Sequence, residues 1–287
     1  MTVTPLLSVD KLEVVYHRAV TAVQGITLAV APGQIVAILG TNGAGKTTCL
    51  RAISGFLGID DARVTDGTIA FNGERIDKLP PHAIARRGVV LVPERDKVFE
   101  SLTVAENLRV PVSRGVFSWS HFLRKTGAHF SGKCSSRTED RRREETAYQF
   151  FPRLHDIRGR LAGLLSGGER QMLAFAGALM CAPQVLLVDE LSLGLAPVVV
   201  EDLMRRLADI RRELNLAVLM VEQSAAVALA VADYGYVLEN GRVVLDGTAA
   251  RLAAHGDIQE FYLGGAGAER RSYRAVKQYR RSRRWYG

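Results

Sequence analysis

Apolar residues along the chain fall into short bursts with two different spacings, and the two kinds alternate. Runs rich in Val, Ile and Leu at 12–16, 25–30 and 34–39 predict strands, the last two separated by Pro32-Gly33. A helix is predicted from Lys46 to about Ser54, then a strand at 68–71 closed by Asn72-Gly73. The run 89–92 has buried-strand length and ends at Pro93. Thr103 and Glu106 have capping-box spacing, so a helix is predicted to start there. Over 113–147 the period degrades, and 137–145 is highly charged, with Arg141, Arg142 and Arg143 in a row. That stretch reads as a solvated, partly helical insertion. The pattern resumes near Phe150 with a helix at 169–180, a strand at 185–188, a helix over about 197–214, a strand at 217–221 and a helix from Ser224. Runs 236–239 and 242–245 flank Asn240-Gly241, the signal of a hairpin with a type I′ turn. Strands alternating with helices predict an α/β fold with a parallel sheet covered on both faces. No internal repeat is evident.

Composition narrows the class. The chain has 287 residues, long enough for one large domain or two small ones; 47% are hydrophobic and 24% charged, the balance of a globular protein rather than a disordered, collagenous or coiled-coil one. At 7% aromatic, a stacking surface for single-stranded nucleic acid is not favoured. The net charge of +8 is concentrated at one end: 265–287 carries eight basic residues against Glu269 and supplies seven of those charges, leaving +1 for 1–264. That basic tail can be a solvated end, or can meet anionic lipid or nucleic acid. The three cysteines, Cys49, Cys134 and Cys181, form no CxxC pair, which argues against a disulfide framework or zinc site and fits a reducing cytosol. No signal peptide is visible at the start, and the longest uncharged stretch, 19–45, is broken by Pro32-Gly33, Gln24, Gln34 and Asn42, so no membrane crossing is expected.

The strongest chemical signal is Gly40-Thr41-Asn42-Gly43-Ala44-Gly45-Lys46-Thr47-Thr48, a G-x-x-x-x-G-K-[ST] loop lying after a predicted buried strand and before a helix. Its glycines let the backbone wrap phosphate oxygens with successive N–H groups turned inward. Lys46 is placed to reach the β- and γ-phosphates of a nucleotide and Thr47 to offer a hydroxyl to Mg²⁺, while the helix N-terminus favours negative charge. Cys49 sits two residues beyond Thr47, where a helix start can acidify a thiol and burial can silence it.

Downstream, the apolar strand 185–188 runs into Asp189-Glu190. There Asp189 is placed to orient Mg²⁺ through water, and Glu190 to act as general base on the attacking water. Shortly before it comes Leu165-Ser166-Gly167-Gly168-Glu169-Arg170-Gln171. Ser166 and Glu169 make a capping box, and the two glycines inside it leave bare N–H groups at a helix start, a second anion site. One subunit has no need of two; a head-to-tail pair would lay this one over the γ-phosphate held by the other.

LSGGERQ between a phosphate loop and VLLVDE strongly resembles the ABC transporter ATPase family, over about 7–264. The wording VPE, LSGGERQMLAFAGALM, SLGLAP, VEQSAAVALAVADYGYVLENG and FYLG is similar, within it, to the ATP-binding subunits of branched-chain amino acid importers. The resemblance implies a P-loop NTPase fold with a RecA-like core, an antiparallel β subdomain and a helical subdomain carrying the signature. It implies one domain over 1–264, with an insertion near 113–147 and the tail at 265–287 beyond it. It implies ATP hydrolysis with Mg²⁺ at the cytoplasmic face of the membrane. Its partners would be a second ATPase, identical or paralogous, two transmembrane permease subunits and, indirectly, a periplasmic or lipid-anchored solute-binding protein, with no specific nucleic acid. Importers of urea or amides, a lipopolysaccharide-export ATPase and a non-transport regulatory protein are the alternatives.

The resemblance also assigns roles by position. Tyr16 falls where an aromatic stacks on adenine. Glu94 stands where a Gln usually senses the γ-phosphate and contacts membrane subunits, and Gln223 stands in the place of a switch His. Gln223 can hydrogen-bond a phosphate but carries neither its proton nor a positive charge, which predicts slowed hydrolysis rather than lost binding. Leu191 replaces a usual Pro, and Leu195 an Asp that contacts the opposite subunit.

Overall fold

The computed structural model describes residues 4–94, 97–114 and 137–261. Most of the expected insertion, 115–136, and the basic tail, 265–287, lie outside them. In chain order the strands are β1 Leu7–Tyr16, β2 Val20–Val30, β3 Ile35–Gly40, β4 Ala62–Phe71, β5 Glu74–Arg75, β6 Val89–Val92, β7 Val185–Asp189, β8 Ala217–Glu222, β9 Tyr234–Glu239 and β10 Arg242–Thr248. The helices are α1 Lys46–Ser54, α2 Pro81–Arg86, α3 Val104–Arg114, α4 Arg137–Phe150, α5 Pro152–Asp156, α6 Gly167–Leu179, α7 Pro197–Leu214, α8 Ala225–Leu229, α9 Ala249–Ala253 and α10 Gly256–Phe261. These elements form two compact units. Among the described residues the first holds 4–53, 57–77 and 219–261, and the second 54–56, 78–94, 97–114 and 137–218.

The first unit contains an antiparallel sheet in the order β2-β1-β4-β5. Three of its strands are longer than the apolar pattern predicts, two of them for a common reason. In β1, Leu7 and Val9 are buried, then Leu12 and Val14; the inward phase changes from odd to even across Lys11, whose φ of 49° marks a bulge with a register shift. In β2 the phase changes again between Val23 and Ile26, across Gly25. A bulge adds one residue and inverts the alternation on which strand recognition depends. The same unit holds β3, buried at every position, paired in parallel with β9, which pairs antiparallel with β10. Asn240 and Gly241 both take positive φ, 49° and 75°, as a type I′ turn requires.

In the second unit β6 and β7 pair in parallel and are wholly buried, which is why both read as unbroken apolar runs. Helix α7 buries Val200, Leu203, Met204, Leu207 and Ile210 along one stripe and ends at Asn215 in the left-handed conformation. Phe151 and Phe175 face each other with centroids 6.4 Å apart, and the Arg206 guanidinium caps the Phe151 ring at 5.9 Å. The charged stretch 137–145 belongs to α4, which buries Ala147 and Phe150. No helix among the described residues is long and apolar enough to cross a membrane.

Candidate functional site

In the first unit the segment 40–48 leaves the buried end of β3 and enters α1. Packing and conformation both demand glycine here. A Cβ at Gly40 would lie 2.5 Å from the Leu238 carbonyl oxygen, and one at Gly45, whose φ is 98°, would lie 2.7 Å from that of Ala22. The loop is braced from behind by the β9–β10 turn, where the Gly241 N–H donates to the Ala44 carbonyl at 3.0 Å. Lys46 is 4% exposed, and its Nζ donates to the carbonyls of Gly40 at 3.0 Å and Thr41 at 3.2 Å. Thr41, Asn42 and Gly43 are exposed, and a Cβ at Gly43 would meet nothing within 4 Å. The loop is thus a stiff arch with a buried cation at its root and an open crest, the form that cradles an oxyanion.

Tyr16, at the end of β1, shares a hydrogen bond with the Thr48 hydroxyl at 3.2 Å, tying that strand to the start of α1. Gln223 is exposed immediately after β8, next to Ser224, whose hydroxyl accepts from the Val227 N–H and caps α8.

Cys49 is fully buried, and burial pushes its thiol up to about 12. The acidified-thiol alternative is therefore excluded by desolvation, which outweighs the helix start. At pH 8 about one molecule in 10⁴ would carry the thiolate. Native protein treated with iodoacetamide at that pH should leave Cys49 unmodified in a peptide map, and unfolded protein should not.

In the second unit Asp189 is the last residue of β7 and is 4% exposed. Glu190 follows with φ of 44°, a left-handed conformation that costs a non-glycine residue about 1 kcal/mol or more. Glu190 is half-buried in that turn, whereas Asp189 is buried at the strand end.

The capping box forms as its spacing predicts. Ser166 Oγ accepts from the Glu169 N–H at 3.2 Å, and Glu169 Oε2 accepts from the Ser166 N–H at 3.0 Å. The cap makes Gly167, not Glu169, the first residue of α6. The Ser166 N–H, ahead of the Ser166 hydroxyl and Arg153, holds the Glu169 carboxyl below its usual range. A Cβ at Gly168 would strike Val199 Cγ1 at 2.8 Å, and one at Gly167 would press on Leu195 at 3.2 Å. These glycines therefore serve packing against the start of α7 as well as backbone exposure.

Glu94 is half-buried just beyond β6. Three residues on, Lys97 donates to the Gln171 side chain on α6. The sequence reading missed Lys97, Gln171 and Arg153; only the spacing of Lys97 from Glu94 offered a local clue.

Residues 23–192 match the family model described as ABC transporter. The chain is 37% identical over 260 residues to the high-affinity branched-chain amino acid transport ATP-binding protein BraG of Pseudomonas aeruginosa, covering 91% of this chain and all of the relative. It is 36% identical over 230 residues to the probable branched-chain amino acid transport ATP-binding protein LivF of Archaeoglobus fulgidus, covering 80% and 87%. The crystal structure of an ATP-binding cassette of an ABC transporter in its ADP conformation superposes with a TM-score of 0.75 at 24% identity, covering 91% of this chain and all of that one. The chain belongs to the ABC transporter family and has the P-loop fold of its ATP-binding cassettes.

Proposed function

We propose that this chain is the ATP-hydrolysing subunit of an ABC importer that powers uptake of branched-chain amino acids. The observation that carries the reading is relatedness over most of the chain to proteins named for that transport, 37% identical over 91% of it to one of them. The phosphate-loop arch and the capped Ser166-Gly167-Gly168 helix start support it, because they are two separate anion-binding elements.

In this reading Gly40 to Thr48 enclose the ATP phosphates, with Lys46 as the fixed cation and Tyr16 against adenine. Bound at the Thr47 hydroxyl and, through water, at Asp189, Mg²⁺ would neutralise phosphate charge. Ser166, Gly167, Gly168 and Glu169 face the γ-phosphate of a second ATPase, so two nucleotides join a head-to-tail dimer, homodimeric or with a paralogue. Glu190 takes a proton from the water that attacks the γ-phosphorus, the bond to the β–γ bridging oxygen breaks, and ADP and phosphate leave. Gln223 hydrogen-bonds the γ-phosphate, and Glu94 stands beside it in the position of the sensing side chain. Closure and reopening drive two permease subunits at the cytoplasmic face of the membrane, which receive solute from a binding protein outside.

Mild-detergent capture of the tagged protein from its own cells, read by mass spectrometry, tests this. The expected result is two polytopic membrane proteins and a second ATPase. Recovery of ribosomes or DNA instead would overturn the transport reading. Loss of radiolabelled leucine uptake in a deletion strain, with other solutes unaffected, identifies the cargo class.

A further inference from the structure

Lys97 lies in a segment anchored at several points. The Phe99 N–H donates to Asn107 Oδ1 at 2.8 Å, Asn107 Nδ2 returns a bond to the Phe99 carbonyl at 3.0 Å, and Arg170 Nη1 meets Glu100 Oε1 at 3.4 Å. Within this frame Lys97 donates across 74 positions of sequence to Oε1 of Gln171. Gln171 is 1% exposed and its Nε2 has no hydrogen-bond partner among the described residues, so the bond from the Lys97 ammonium fixes which way that carboxamide points. Around Lys97 stand Glu94, Arg170 and Asp189. Burial pushes its ammonium down to about 8, with Glu94 pulling up, Arg170 down and Asp189 up. Among the described residues the cluster holds two anions and two cations. A partly buried cation is stabilised by a nearby anion.

A carboxylate at position 94 has a specific difficulty. If Glu94 faces the γ-phosphate, as the proposed function has it, like charges oppose each other where a neutral amide would be benign. We propose that Lys97 is a positioning residue whose ammonium offsets the Glu94 carboxylate, so that the pair presents a near-neutral surface to the γ-phosphate. The competing possibility is a clamp that only steadies α6 through Gln171. The two differ in what Glu94→Gln does.

The test measures calorimetric affinities of the full chain for ADP and for a non-hydrolysable ATP analogue, both with Mg²⁺. Lys97→Met should weaken the analogue about tenfold while moving ADP by less than about twofold, because only the analogue carries the opposed phosphate. Lys97→Arg should stay near wild type, and the double variant Glu94→Gln/Lys97→Met should recover the lost affinity. Equal affinities for Lys97→Met and wild type overturn the inference, as does a loss that persists in the double variant, which marks a clamp. If Lys97→Met does not fold, Glu94→Gln alone decides: analogue affinity that holds or rises supports charge offset, and a fall overturns it. A wild-type chain that binds neither nucleotide overturns the ATPase reading and this inference together; wild-type binding with Lys97→Met unaffected overturns this inference alone.

Discussion

Lys46→Ala should abolish measurable ATP binding while leaving the fold intact. The ammonium is almost entirely shielded from water, and Gly40 and Thr41 carbonyls orient it along the root of the arch. A buried, pre-oriented cation meeting phosphate oxygens contributes far more than an exposed one, and charge-assisted bonds contribute about 1.5–3 kcal/mol each. Losing two or more predicts an affinity drop of at least about 100-fold. The glycines that shape the arch are held by Leu238, Ala22 and Gly241, none of which the substitution touches. Melting temperature without nucleotide should therefore shift little, whereas the rise in melting temperature on adding ATP should vanish. Unchanged ATP affinity by calorimetry would remove the phosphate-loop assignment.

Glu190→Gln should do the reverse, keeping ATP and losing turnover. Glutamine has the same length, and its backbone adopts the φ of 44° at the same cost as glutamate, so the turn beyond β7 is preserved. What disappears is the ability to accept a proton, worth about 10²–10⁴ in rate for a positioned general base. Since ATP then persists, the variant should accumulate as an ATP-bound dimer, visible by size-exclusion chromatography with light scattering and dispersed when ATP is withdrawn. Turnover at the wild-type rate would exclude Glu190 as the base. The exposed Gln223 makes this contrast informative, because its neutral carboxamide cannot accept the proton in place of Glu190.

The candidate site was unusually legible because its parts are local. A phosphate loop, a capping box and a strand ending in two acids each occupy fewer than ten consecutive residues, and their backbone geometry follows from glycine, serine and chain direction. The capping box formed with both reciprocal bonds, although the cap placed the helix start at Gly167, two residues earlier than the apolar pattern did. Buried strands β3, β6, β7 and β8 were legible for a related reason: a strand covered on both faces is apolar throughout, whatever covers it. Alternation failed in β1 and β2, where bulges near Lys11 and Gly25 inverted the phase.

By itself, then, the sequence pointed to the nucleotide chemistry and the order of the longer elements, since both are written in short-range rules of spacing and conformation. Tertiary structure alone decided three other matters. It silenced Cys49, because desolvation depends on what closes over a thiol and not on its place in a helix. It required glycine at 168 through Val199, thirty-one positions away, because steric room is set by the neighbour that packs there. It brought Lys97 to Gln171 and set it among Glu94, Arg170 and Asp189, because charge balance in a partly buried cluster is a property of distance in space.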